Sequence, residues 1–285
     1  MAIFVILFLY VISIALPILF GLTTALKTQE EFLDNVIGLP YGAPWKWQWR
    51  NFITVTEQFW VQITIIGKGR FHVTFWPMLI NTLEYAVGSA LIQAFVPCLV
   101  GYLTSKFDYK FSKFVYAMVI VLMVVPIVGS APSEMAILRR LNLFDTMIGN
   151  YIQKFNFLGM FYLVFYAVFK GVSNDILEAA YVDGASELRV MVQIAVPMVK
   201  NVLGTVVLLK FIDFWNDYQT PMLYMPSYAT LARGLFALSH RSQGGAATVP
   251  GQMAGCMLLA LPILILFIIF KDKLMGNISM GGVKE

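Results

Sequence analysis

Charge is what this sequence has least of. Asp, Glu, Lys and Arg make up 13% of its 285 residues, about half the share of an average soluble domain. Chemistry-bearing side chains are equally thin. Of the 2 His, His72 and His240 stand far apart and neither sits in a cluster with metal-ligand spacing. The 2 Cys, Cys98 and Cys256, both fall within apolar runs, which argues against a disulfide scaffold and fits small buried side chains. No GxSxG turn and no phosphate-binding loop of the GxxxxGKS or GxxxxGKT type occurs, and the GKGR at 67–70 is too short and lacks the Ser or Thr. An intramembrane enzyme needs a convergent acid, nucleophile or metal, for which the acidic pair Asp213 and Asp217 alone is weak support. The formal charge of +4 is dispersed. No basic block with interleaved aromatics is present, so nucleic acid is a poor partner class.

What is present is apolar. Hydrophobic residues are 59% of the chain and the mean hydropathy is +0.75, which predicts one all-α polytopic membrane domain with six spans. Residues 1–26 carry no charge and can cross the hydrocarbon core as a helix that Pro17 bends. The competing reading, a signal peptide, lacks a basic n-region and a clean cleavage pattern. Residues 27–76, rich in Trp, Gln, Gly and mixed charge, form an extracytoplasmic loop. Within it 38–49 should contain turns and a headgroup-level segment, while 54–66 reads equally as helix or strand. The core region, 77–285, is expected to hold spans at about 77–105, 114–129, 155–172, 198–217 and 251–270. Asn81 and Glu84 lie near the outer end of the second span, a short interfacial helix is expected around 134–143, and the cytoplasmic tail covers 271–285.

The fifth span is the least apolar. Lys210, Asp213, Asn216 and Asp217 lie in or near it, and charge at membrane depth is costly unless it pairs, faces a pathway or reaches the interface. Lys210 and Asp213 stand three apart on one helical face, so they partly compensate each other. These four are the pathway or gate candidates. Trp215 and Tyr218 read as interfacial anchors. With both termini inside, Lys106, Lys110, Lys113, Lys271 and Lys273 flank cytoplasmic helix ends. Lys46, Arg50, Lys68, Arg70, Arg139 and Arg140 then fall outside, so charge supports this topology only weakly.

Between the fourth and fifth spans lies a polar stretch, EAAYVDGASELRVMVQIAVP at 178–197. Asp175 and Glu178 have capping-box spacing. Leu177 with Tyr181, then Leu188 with Val192, mark two short helices with Gly184 as the corner. Glu178, Ala179, Ala180, Asp183, Gly184, Ile194 and Pro197 resemble the EAA loop of bacterial ATP-binding-cassette importer permeases. The longer EAAYVDGAS, the WNDY with Pro221 soon after, and the terminal MGGVKE resemble the carbohydrate, maltose-type branch. The resemblance covers about 81 to the C-terminus and is weaker over 27–76.

That resemblance implies a multi-pass subunit of the bacterial cytoplasmic membrane. It would bind no cofactor itself and work with a second homologous permease, two nucleotide-binding subunits that hold ATP and Mg, and an extracytoplasmic substrate-binding protein. Residues 175–197 would dock in the ATPase clefts, and the outer segment 239–249 would approach the binding protein. Imported sugar would pass by alternating access, with Trp215 and Tyr218 as possible sugar contacts. An ATP-driven importer of a non-sugar solute is the nearest rival. A secondary transporter, whose inverted repeats are not evident, and a membrane scaffold are further alternatives.

Overall fold

The computed structural model describes residues 1–65, 69–125, 129–241 and 245–278. Pro126, Gly244, Lys68 and the MGGVKE ending lie outside them. The order is α1 (Ala2–Ala25), α2 (Gln29–Asp34), α3 (Arg50–Gln58), β1 (Trp60–Ile65), β2 (Gly69–Thr74), α4 (Phe75–Lys106), α5 (Lys110–Val124), α6 (Ala131–Arg140), α7 (Met147–Lys154) and α8 (Met160–Gly171). There follow α9 (Asn174–Val182), α10 (Glu187–Val190), a π-helical turn (Met191–Ala195), α11 (Val196–Met198), α12 (Lys200–Asn216), α13 (Gln219–Tyr224), α14 (Leu231–Ser239) and α15 (Val249–Ile278).

The fold is that of a helical polytopic membrane protein. Among the described residues three helices are long and apolar enough to span, Ile3–Ala25, Phe75–Lys106 and Val249–Phe270, and the number rises to five if two bent helix pairs each count as one span. The bent pairs are α8 with α9, at 69°, and Glu187–Met198 with α12, at 75°. The expected fourth and fifth spans are therefore shorter than their apolar runs, while the third is α5, which starts earlier, at Lys110, and whose expected end at 126–128 lies outside the described residues. The fourth begins only at Met160, because 155–159 is non-helical around Gly159 at φ +143°. The short helix expected around 134–143 is α6, and a second helix, α7, follows it. In the stretch that reads both ways, α3 ends at Gln58 and a hairpin begins at Trp60. The helical class thus carries one appended two-stranded sheet.

The chain divides into two compact units. The first holds 1–82 and 217–269. Its α1 is exposed over most of its length, with Phe4 73% and Leu9 59% exposed, as a lipid-facing helix would be, and is buried only toward its end, at Gly21, Thr24 and Ala25. The carbonyls left over at its end are satisfied by side chains: Asn51 Nδ2 donates to the Ala25 and Lys27 carbonyls, both at 2.8 Å. Lys27 is fully buried and donates to the Asn35 and Val36 carbonyls. Burial lowers its pKa, and the nearby Glu31 carboxylate opposes that shift. Thr28 caps α2 by accepting from the Glu31 N–H at 3.0 Å. The hairpin pairs Trp60 with Thr74 through Ile65 with Gly69, antiparallel. On β1, Val61 and Ile63 alternate inward, each 5% exposed. Asn81 Nδ2 donates to the Ala229 carbonyl at 3.0 Å, and Thr82 Oγ1 accepts from the Leu231 N–H at 2.8 Å.

Arg241 latches the segment after α14 to this hairpin. Its guanidinium lies 3.8 Å from the Trp60 ring centroid, donates to the Gln58 carbonyl at 3.1 Å and also donates to the Trp60 carbonyl. Gln58 in turn accepts from the Ala246 N–H through its side-chain oxygen at 3.0 Å. Charged hydrogen bonds and a cation–π contact together hold about 2–3 kcal/mol in such a place. Arg241→Ala is expected to speed amide exchange in β1 and around Ala246 severalfold and leave α4 unchanged; identical exchange in the two proteins would show that the latch holds nothing.

The second unit holds 83–216 and the end of α15. In it α4 packs on α8 so closely that a Cβ at Gly101 would lie 2.9 Å from the Phe165 Cβ and 3.1 Å from the Tyr166 nitrogen. Small residues allow such approach between membrane helices. Tyr162 Oη donates to Thr104 Oγ1 at 2.8 Å across the same contact. On α7, Asn150 Nδ2 donates to Ser89 Oγ at 3.0 Å and Tyr151 Oη to the Glu84 carbonyl at 2.8 Å.

Candidate functional site

The polar stretch folds as an elbow built from local signals. Its cap is Ser173, whose hydroxyl accepts from the Asp175 N–H at 3.2 Å and donates to the Asp175 carboxylate at 2.9 Å. The helix therefore starts before the expected Asp175–Glu178 box. Asp175 instead sits in the first turn, where its charge meets the helix dipole. At the far end the Gly184 N–H donates to the Tyr181 carbonyl and the Ala185 N–H to the Ala180 carbonyl, each at 3.0 Å. This is the paired closure of a Schellman motif, and it needs a left-handed residue. Gly184 supplies it at φ +83°. A second arm then runs through α10, the π turn and α11 before the 75° bend into α12.

The elbow has two faces. Leu177, Ala180, Val190, Ala195 and Val199 are buried in one cluster with Ala94, Cys98 and Tyr102 of α4 and Phe165 and Phe169 of α8. Ile194 packs against it, half-buried. Glu178, Ala179, Asp183, Gly184 and Pro197 are exposed. So are apolar side chains, most of all Val182 at 87%, Leu188 at 68% and Val192 at 54%. An apolar patch rimmed by acids, on a polar loop, has the make-up of a protein-docking surface. Val182 lies off the Leu177–Ala180 face, which is the sequence signal that sets it apart.

One basic residue ties the elbow to α4. Lys106 Nζ donates to the Val172 carbonyl at 2.5 Å and to Asn174 Oδ1 at 2.8 Å. The ammonium thus sits at the C-terminal, negative end of α8, across the bend that starts α9. In the sequence Lys106 reads only as one of several flanking cations; its partners lie more than sixty residues away.

On α12, Lys210 pairs with Asp213 at 3.1 Å and lies 5.0 Å from the Phe161 ring centroid. Asn216 Nδ2 turns back to the Ile212 carbonyl at 2.9 Å, and Asp217 Oδ1 accepts from the Thr220 N–H at 3.0 Å. Trp215 is 2% exposed and packs on Phe211; it is a core residue here. Tyr218, half-buried, stacks on Phe236 with centroids 4.6 Å apart. Among the described residues no group of His, Cys, Asp or Glu is arranged to hold a metal.

The chain is 21% identical over 278 residues to a diacetylchitobiose uptake system permease of Streptomyces coelicolor, covering 96% of this chain and 86% of that one. It is 28% identical over 216 residues to a maltodextrin transport system permease of Bacillus subtilis, covering 72% and 74%. A crystal structure of a bacterial ABC transporter involved in import of the acidic polysaccharide alginate contains a chain of the same fold, with a TM-score of 0.74, 19% identity and coverage of 94% and 93%. Residues 98–278, more than half of the chain, match the family model described as binding-protein-dependent transport system inner membrane component. With its spanning helices and its elbow, the chain belongs to that family: it is a multi-pass inner-membrane permease component and not an enzyme.

Proposed function

We propose that this chain is one permease subunit of an ATP-driven importer for a sugar or oligosaccharide. It would cross the membrane six times, with α5, α8 and α12 as short spans beside the three long ones. The partners are a second, related permease, two nucleotide-binding subunits that carry ATP and Mg, and an extracytoplasmic binding protein. The sugar class rests on the permeases it resembles, which serve diacetylchitobiose and maltodextrin.

The observation that carries the reading is the two-faced elbow. Residues 175–197 couple the ATPases to the membrane: Val182, Leu188 and Val192 enter the ATPase cleft, Glu178 and Asp183 rim it, and Leu177, Ala180 and Val190 pass its movement to α4 and α8. Lys210 and Asp213, with Asn216 and Asp217 beyond, line the pathway that opens and closes in response. Tyr218 contacts sugar at its outer end, and the tail from 271 lies near the ATPases.

Co-purification from native membranes in mild detergent tests the assembly. A second permease and an ATPase should accompany the chain, and the ATPase should be lost selectively when Glu178 and Leu188 are replaced by arginine. Isolation of the intact chain alone would sink the importer reading. Gly184→Val tests the corner separately. A Cβ there meets nothing within 4 Å, so the cost is backbone strain, about 1–2 kcal/mol for an L-residue in the left-handed region. Membrane insertion should be normal and sugar-stimulated ATP hydrolysis several times weaker; wild-type stimulation would contradict the coupling role.

A further inference from the structure

The loop that follows α1 is folded with its polar groups turned inward. Asn35 accepts from the Gly38 N–H at 2.8 Å and donates to the Leu39 carbonyl at 3.0 Å, and the Glu31 carboxylate accepts from the Tyr41 N–H. The indole N–H of Trp47 donates to the Gly42 carbonyl at 3.2 Å, and that of Trp49 to the Pro44 carbonyl at 2.9 Å. What the loop displays is apolar. Ile37 is 86% and Trp45 79% exposed, and Leu39, Tyr41 and Trp49 are exposed as well. In water this leaves large apolar side chains unburied; against lipid they are covered, and the backbone polar groups already have partners.

The height of the loop is set by α1. That helix has 24 residues and is about 36 Å long, which outreaches a hydrocarbon core of about 30 Å, so its last turn lies at the headgroup boundary. The loop comes back to that turn. The Gln48 N–H donates to the Leu26 carbonyl at 2.9 Å, and Asn51 Nδ2 holds the Ala25 and Lys27 carbonyls. Residues 48–51 are thereby kept at the boundary, with Trp49 among them. Among the described residues no spanning helix separates α1 from α4, so α4 starts on the same side, and Trp76 is exposed at its start. Indole rings collect at this depth. Two of the cations that blur the charge pattern, Lys46 and Arg50, are exposed within the same run. The acids of the loop, Glu30, Glu31 and Asp34, all lie on α2, outside it.

We infer that residues 37–50 form a foot seated in the headgroup layer of the leaflet where α1 ends, with Trp45 and Trp49 against the upper acyl chains and Lys46 and Arg50 on phospholipid phosphates. The occupant is lipid because the apolar patch continues the lipid-facing length of α1 and the two bases match the charge of the phosphates. The foot fixes the height at which α3 and the hairpin after it stand on the bilayer. It depends on α1 crossing the membrane and on nothing in the importer reading.

The test measures depth in the complete complex, reconstituted in vesicles of phosphatidylethanolamine and phosphatidylglycerol. With Cys98 and Cys256 changed to alanine, a nitroxide is attached at Trp45→Cys, at Leu39→Cys as a second site, and at Leu9→Cys as the lipid reference. Relaxation of the label by oxygen, which partitions into lipid, is compared with relaxation by a water-soluble nickel chelate. The ratio at 39 and 45 should stand severalfold above that of the free label in buffer, and Lys46→Glu with Arg50→Glu should lower it severalfold toward the buffer value. An unchanged ratio in that variant overturns the phosphate contact. Buffer-like ratios at both sites overturn the foot, and shielding by the binding protein would then make the patch a protein-docking surface. Shielding from both reagents would put the second permease there and overturn the foot equally. Sugar uptake is followed in the same vesicles. Uptake with buffer-like ratios removes the foot and leaves the importer reading standing, whereas lipid-like ratios without uptake of any sugar do the reverse.

Discussion

Lys106→Met is expected to lower sugar uptake by at least about tenfold while ATP hydrolysis continues. The ammonium ties the end of α4 to the α8–α9 bend through two hydrogen bonds, at 2.5 and 2.8 Å. Hydrogen bonds from a charged donor are worth about 1.5–3 kcal/mol each when sheltered, less where water reaches them, as it does here. A loss of about 2 kcal/mol at this joint lets α9 swing without pulling α4, and coupling falls by more than tenfold. Methionine keeps the length and apolar stem, so packing is spared. Lys106→Arg should restore part of the activity, since charge returns but the planar fork fits two oxygens set for an ammonium less well. Uptake and ATP hydrolysis are measured on the same vesicles. Wild-type values for both in Lys106→Met would assign the joint to apolar packing alone.

The second large effect is structural. Gly101→Leu should yield little assembled complex at any temperature, and Gly101→Ala a reduced amount that melts several degrees lower. A Cβ at 101 would lie 3.1 Å from the Tyr166 nitrogen and 3.2 Å from the Phe165 carbonyl carbon. These are backbone atoms and cannot rotate away. Overpacking of this kind costs about 1–3 kcal/mol for one carbon and more for an isobutyl group. The helices it separates, α4 and α8, carry the cluster on which the elbow rests. Size-exclusion yield and detergent melting report the outcome; a leucine variant that assembles and melts like the wild type would mean that α4 and α8 can part without consequence.

Legibility differed by the physics of each feature. The three long spans were plain in the sequence, because an uninterrupted apolar run is sufficient evidence for a helix of that length. The short spans were not, since a hydropathy run does not record where a helix breaks: 155–159 is apolar enough to look continuous, and only Gly159 hints otherwise. The corner at Gly184 was legible because its neighbours allow a single closing geometry. Its N-cap was misplaced because Ser173 and Asp175 offer competing oxygens two residues apart. Lys210 with Asp213 was readable from i,i+3 spacing, whereas Lys106 finds its partners only in three dimensions. Trp215 looked available for a ligand because aromatic residues serve cores and binding sites alike, and it is buried against Phe211.

The π turn in the elbow's second arm has a consequence for register. Val190 and Ala195 are both fully buried, yet a spacing of five places two residues about 140° apart on a regular α-helix. They share a face because the Val196 N–H reaches back to the Met191 carbonyl, a closure that houses one residue more than an α-turn does. The arm therefore contains a spare residue. If that turn tightened to α geometry, the part of the arm that precedes it would rotate by about 100° relative to α12, turning Leu188 with it and separating the buried faces of Val190 and Ala195.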